Sequence, residues 1–309
     1  MNSSAESGSR RWLHAYATLV ACCTFLLIVA GALVTSHAAG LSVPDWPTSF
    51  GSLRLPPMVG GVLYEHGHRL IAGTVGLLTI LLAIWLWISE PHRWVRGLGA
   101  AAVLAVILQA VLGGVTVLLK LPPIVSVGHA TLGQSFFAIA VSLALFTGAD
   151  WRWGERKEEN SFPPSLRQLA LGLSAATFVQ LVLGAAFRHA AFGIVPHFVG
   201  AVAVSLLVIW VIARVLLEFP QEPRLVRPGR ILLFLLAGQL LLGLAAYHVL
   251  VTSPGSARLL PLAVGITTAH VAIGALILAA SLVLTFEAYR GTLVPRRAAE
   301  FGSAAQKAA

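Results

Sequence analysis

Glu65-His66-Gly67-His68-Arg69 stands at the mouth of a long apolar run, Leu70 to Ile88. It sets a carboxylate, two imidazoles and a guanidinium where a membrane segment would begin. Ionisable groups are costly there and mark a functional site by default. On a helix, Glu65 shares a face with His68 (i, i+3) and with Arg69 (i, i+4). His66 lies about 200° around the helix from His68, at ~100° per residue. One of the two histidines can therefore face a site with Glu65, and His68, which shares its face, is the candidate. For this stretch alone, an interfacial polar cap that merely ends a helix stays open as the alternative.

The wider composition puts that stretch in a membrane. Of 309 residues, 57% are hydrophobic and 11% charged, and mean hydropathy is +0.85. A soluble domain carries roughly 25% charged residues. Long uncharged runs must satisfy their own backbone hydrogen bonds, so an all-α integral membrane protein is expected, in contact with lipid. Cys22 and Cys23 are neighbours inside the first run and read as small core residues. The chain contains no CxxCH, which excludes covalent c-type heme attachment.

Eight spans are expected, at about 12–35, 62–88, 97–119, 124–147, 166–187, 194–216, 231–252 and 262–286. Residues 1–10 read as a disordered tail. Arg10-Arg11 faintly resembles a twin-arginine signal, but the run that follows is too long for a signal-peptide core, so it is a retained span. The loop 37–61 is rich in Pro and Gly. Asp150 to Pro164 is a charged linker between halves, Glu218 to Arg230 is a second charged loop, and a loop with Pro254, Gly255 and Pro261 precedes the last span.

Counted by side, sixteen of the 21 Lys and Arg fall with the N-terminus. Five, Arg54, Arg69, Lys120, Arg188 and Arg258, fall opposite, with only Asp45 and Glu65 of the twelve acids. The positive-inside rule then puts both termini in the cytoplasm. This distribution accounts for the net charge of +9 without nucleic acid.

The two halves echo each other. Gln109-Ala110-Val111-Leu112-Gly113 recurs as Gln180-Leu181-Val182-Leu183-Gly184 and as Gln239-Leu240-Leu241-Leu242-Gly243. His129-Ala130-Thr131-Leu132-Gly133 matches His270-Val271-Ala272-Ile273-Gly274. Small residues at such positions let helices approach closely. Two pseudo-symmetric four-helix bundles are expected, with the domains at 1–149, 150–165 (a cytoplasmic linker) and 166–309 (with a polar tail).

Spans 2, 4, 6 and 8 each carry a histidine near their outer start: His68, His129, His197 and His270. Even spans are diagonal in an up-down bundle, so each half offers two opposed imidazoles. That is the usual means of holding a heme iron on both axial sides. All four therefore read as metal ligands. Closed zinc sites want four ligands, usually with thiolates, and a proton-relay transporter is the other class that uses such residues. His14 and His92 read as solvated on the cytoplasmic side. His37, His66, His189 and His248 lie near the outer side, as propionate partners or plain interfacial residues.

Over about residues 12–287 these features resemble the heme A synthase family of cytochrome oxidase assembly membrane proteins. The resemblance rests on Gly40-Leu41-Ser42 with Asp45-Trp46-Pro47, on Glu65-x-x-His68-Arg69, on Gly113-Gly114 before a Pro turn and His129, and on His197 and His270. It implies oxidation of the C8 methyl of heme O to a formyl, giving heme A. It implies a substrate heme O on His68 and His129, a heme b cofactor on His197 and His270, and Glu65 as the catalytic carboxylate. Arg69, Arg54 or Arg188 would pair with propionates. The implied setting is a bacterial cell membrane with the heme sites near its outer face. The expected partners are a heme O-forming enzyme and an unidentified electron acceptor.

Two departures stand out. Many bacterial members carry a cysteine pair in the first outer loop, and Ser42 to Phe50 holds none. The second half has Val195-Pro196, not an acid, beside His197. A di-heme electron-transfer cytochrome that leaves heme unmodified is the alternative. A heme or proton transporter without a permanent cofactor is a third reading.

Overall fold

The computed structural model describes residues 3–148, 151, 163–252 and 261–290. These form eight helices: α1 (Ser3–Ser36), α2 (Gly61–Ser89), α3 (Arg93–Leu118), α4 (Pro123–Phe146), α5 (Leu166–Arg188), α6 (Val195–Glu218), α7 (Pro223–Thr252) and α8 (Pro261–Arg290). Each is long and apolar enough to cross a membrane. The shortest, α5, has 23 residues, which at ~1.5 Å per residue exceeds a hydrocarbon core of about 30 Å. Most of the linker at 150–165, Arg258 with its loop, and the tail from 291 lie outside the described residues.

Starts are written locally. Proline opens α4 and occupies the first turn of α6, where its missing N–H costs nothing. Ser165 caps α5 in a reciprocal box with Gln168.

Consecutive helices pack in antiparallel order, and α1 closes on α4 as α5 closes on α8. The result is two four-helix rings that meet through α1, α4, α5 and α8. The first ring buries Leu13, Val20, Leu82, Leu86, Val95, Phe136 and Leu143. The second buries Leu166, Leu173, Val208, Val215, Leu232, Ile277 and Leu284. In both, these residues come mostly from the first halves of the odd helices and the second halves of the even ones. The apolar core therefore fills the end of each ring away from the histidines.

Four expectations are corrected. Residues 3–10 continue α1 as helix, since lengthening a formed helix is cheap compared with starting one. The seventh span begins at Pro223, so the charged loop shrinks to 219–222. Leu225, Val226 and Leu232 bury against Val215 and Phe219, which repays the one backbone bond that Pro228 forfeits inside α7. Cys22 is exposed on α1 and only Cys23 is partly buried, because adjacent helical residues cannot share a face. His14 is not simply solvated: its Nδ1 lies 2.9 Å from the Ala144 carbonyl at the end of α4.

Candidate functional site

Each hairpin of the fold seats one histidine on one glycine. A methyl built on Gly31 of α1 would meet His68 Cε1 at 3.2 Å. The same holds for Gly113 and His129 (3.0 Å), Gly184 and His197 (3.1 Å), and Gly243 and His270 (3.0 Å). The missing Cβ lets the imidazole lie flat against the preceding helix. Gly113, Gly184 and Gly243 belong to the repeated Gln-to-Gly motif. Gly31 was not legible from that repeat, because the residue four before it is Leu27. Its signal is that it is the one glycine between residues 11 and 39.

The repeated glutamines reach the histidines. Gln109 Nε2 donates to the His129 carbonyl at 3.0 Å and lies 3.4 Å from the ring Nε2. Gln180 Nε2 donates to the His197 carbonyl at 2.9 Å and to ring Nδ1 at 3.0 Å. Gln239 Nε2 lies 3.3 Å from His270 Nε2. All three amide oxygens are buried without a partner among the described residues, as are Nδ1 of His68, His129 and His270. Orphaned buried polar atoms are rare and call for a ligand or water.

The rings of His197 and His270 face each other with centres 6.1 Å apart, at 78°. Two metal–imidazole bonds of about 2 Å each call for roughly 6 Å between such ring centres. The residues present therefore fit an iron porphyrin held from both sides. Among the described residues, no group of three or more His, Cys, Asp or Glu could hold a bare metal ion.

Among the described residues Glu65 makes no hydrogen bond to His68. Its carboxylate, on a residue 4% exposed, accepts the Val43 N–H at 2.7 Å and the Arg69 guanidinium at 2.7 Å. Arg69 also donates to the carbonyls of Val43 (3.0 Å), Asp45 (2.8 Å) and Thr48 (3.1 Å). The pair clamps the loop between α1 and α2. Asp45 folds the next stretch by accepting from Thr48 Oγ1, Phe50 N and Gly51 N. The Thr48 hydroxyl and these amides hold its carboxyl down at about 2. His66 turns away from the bundle to Ser49 Oγ at 2.9 Å. His37 stacks on Tyr64 with centres 3.7 Å apart. Trp46 lies across Gly114, where a methyl would come within 2.4 Å of its ring. The loop is thus a fixed roof over the first bundle, attached to α2 by charge and to α3 by shape.

Of the other cations, Arg54 is exposed in this loop. Arg188, four residues after Gly184, donates to the Ala32 carbonyl at 2.9 Å and to Ser36 Oγ at 2.7 Å, tying α5 to α1. His92 pairs with Glu90 at 2.6 Å on the opposite side.

Residues 59–198 match the model of the cytochrome oxidase assembly protein family. That stretch holds Glu65, His68, Arg69, His129 and His197, and ends before His270. The chain is similar to the heme A synthase of Bacillus licheniformis, with 30% identity over 167 residues, 53% of this chain and 54% of the relative. It is similar to the heme A synthase of Lysinibacillus sphaericus, with 29% identity over 182 residues, 58% and 59% of the two chains. It is also similar to that of Shewanella oneidensis, with 32% identity over 141 residues, 40% and 42%. The chain spans about half the length of the curated relatives it matches.

Proposed function

Because residues 59–198 match the cytochrome oxidase assembly protein family, we propose that the chain belongs to it and is a heme A synthase, an oxidoreductase that converts the C8 methyl of heme O to a formyl. The observation that carries this reading is the asymmetry of two otherwise matched bundles. Both seat two histidines on glycines, and among the described residues only the first adds a buried carboxylate, Glu65, and a roof.

In this reading heme O is the substrate of the first bundle, between His68 and His129. The second bundle holds heme b as cofactor through His197 and His270. A heme held there would supply one-electron redox chemistry. The chain's own residues do the rest. His68 and His129 orient the porphyrin. The loop clamped by Glu65 and Arg69 excludes water from above. Glu65, one turn before His68, takes up a proton or stabilises positive charge as the methyl loses hydrogens. Arg69 lends its charge to the same edge, where propionates would lie, although its donors are directed into the loop. Both termini would be cytoplasmic and both heme sites near the outer face of a bacterial cell membrane, as the cation distribution favours. A heme O-forming enzyme is the expected supplier of substrate.

The test is expression in a host that makes heme O but no heme A, followed by extraction of the pigment from the purified protein. Heme A or its hydroxylated precursor is expected, and Glu65→Gln should abolish it at unchanged heme loading. Heme b alone, with heme O available, would instead assign the chain to di-heme electron carriers.

A further inference from the structure

The four hairpins are not equal in how they hold their histidines, and the difference falls on one residue. In the hairpins of His129, His197 and His270, the residue four before the glycine seat is Gln109, Gln180 or Gln239. In the hairpin of His68 that position is Leu27. The facing helix has changed with it. A glycine lies under each glutamine: a methyl on Gly133 would meet Gln109 Nε2 at 3.2 Å, one on Gly200 would meet Gln180 Oε1 at 2.1 Å, and one on Gly274 would meet Gln239 Nε2 at 3.4 Å. The residue four after His68 is Ala72, where His129 and His270 have Gly133 and Gly274. A paired Gln and Gly have thus become a paired Leu and Ala. The consequence is visible at the ring. His68 makes no side-chain hydrogen bond among the described residues, whereas a glutamine Nε2 lies 3.4, 3.0 and 3.3 Å from a ring nitrogen of His129, His197 and His270.

Outer partners fix the orientation of a ligating imidazole and strengthen its hold on the metal. A heme that is substrate must enter and leave at every turnover, whereas a heme that is cofactor must stay. Resting on the reading above, we propose that His68 is the exchangeable axial ligand of the protein, and that Gln109, Gln180 and Gln239 are positioning residues that keep the other three histidines in place. Entry and release then proceed by breaking the iron–nitrogen bond to His68 while His129 keeps its own. A bond to an incoming ligand replaces the one lost, and no electron is transferred. The start of α2 need not move, since Glu65 and Arg69 anchor it to the loop. Only the ring swings.

Carbon monoxide binding to the dithionite-reduced, full-length purified protein tests this, with total heme counted separately. In the wild type one of two hemes should react. Leu27→Gln with Ala72→Gly supplies the missing pair and should lower that reactive fraction about tenfold at equal heme content. Gln180→Leu with Gln239→Leu should make the second heme reactive as well, and it stands as an independent arm if the first variant does not fold. An unchanged reactive fraction in either folded variant, or a wild type in which neither heme reacts, overturns the proposal. A purified wild type that carries no heme at all overturns the heme reading itself, and this inference with it.

Discussion

Trp46 occupies the space that a side chain at Gly114 would need. A methyl there would sit 2.4 Å from the indole, so loop and helix α3 fit only because residue 114 has no Cβ. Gly114→Ala should therefore lift the roof. Overpacking costs about 1–3 kcal/mol, against up to about 1 kcal/mol gained in helix propensity. Faster amide exchange over residues 43–48, with α3 itself unaffected, is the expected result. Unchanged exchange would mean that the indole relocates freely.

The clamp separates two roles that Glu65 could have. Glu65→Gln keeps an acceptor for the Val43 N–H but strips Arg69 of its buried counter-charge, a loss of about 3–5 kcal/mol in such pairs. Arg69→Lys keeps the charge but not the fork that reaches three carbonyls, and leaves one or more unsatisfied at about 1–3 kcal/mol. If Glu65 acts on the substrate, heme A formation should vanish in the first variant and survive in the second. Loss in both, scaling with loop exchange, would make Glu65 a support for the roof.

Asp45 gives the loop a pH limit. Its carboxyl is depressed from 3.8 to about 2, mainly by the Thr48 hydroxyl and then by the Gly51 amide. A depressed folded value means the stabilisation is complete above the unfolded value and is lost as pH falls through the folded one. Protection of the Phe50 and Gly51 amides should therefore persist below 3.8 and disappear toward about 2. Asp45→Asn should remove the protection of one of the two amides at every pH, because an uncharged amide offers one acceptor where the carboxylate offers two.

The glycine seats predict that stability and heme binding part company. Gly243→Ala improves helix propensity by up to about 1 kcal/mol, yet its methyl would press on His270 Cε1 at 3.0 Å. The protein should fold at least as well while its low-spin heme signal weakens. Electron paramagnetic resonance beside thermal unfolding in detergent checks both halves of this statement.

The eight spans, the paired bundles and the matched positions of the four histidines were legible because membrane helices declare themselves by length, and because the Gln-to-Gly repeat marks depth. Contacts between distant parts of the chain were not. Glu65 meeting Val43, and Trp46 meeting Gly114, depend on how a loop of more than twenty residues folds back, which no period encodes. Gly31 was missed for the opposite reason: its hairpin is the one that breaks the repeat. The extension of α7 through Arg224, Arg227 and Arg230 was hidden by charge, although Leu225, Val226 and Leu232 already formed a buried stripe.

Arg188 joins Ala32, next to the seat of His68, to the helix that carries the seat of His197. The two bundles consequently share a strut, and thermodynamic reciprocity applies across it. If occupancy of the first compartment shifts the midpoint potential of the second, then reducing the second must shift affinity in the first by the same free energy. Arg188→Ala should uncouple the two, leaving a potential that no longer depends on whether substrate is present.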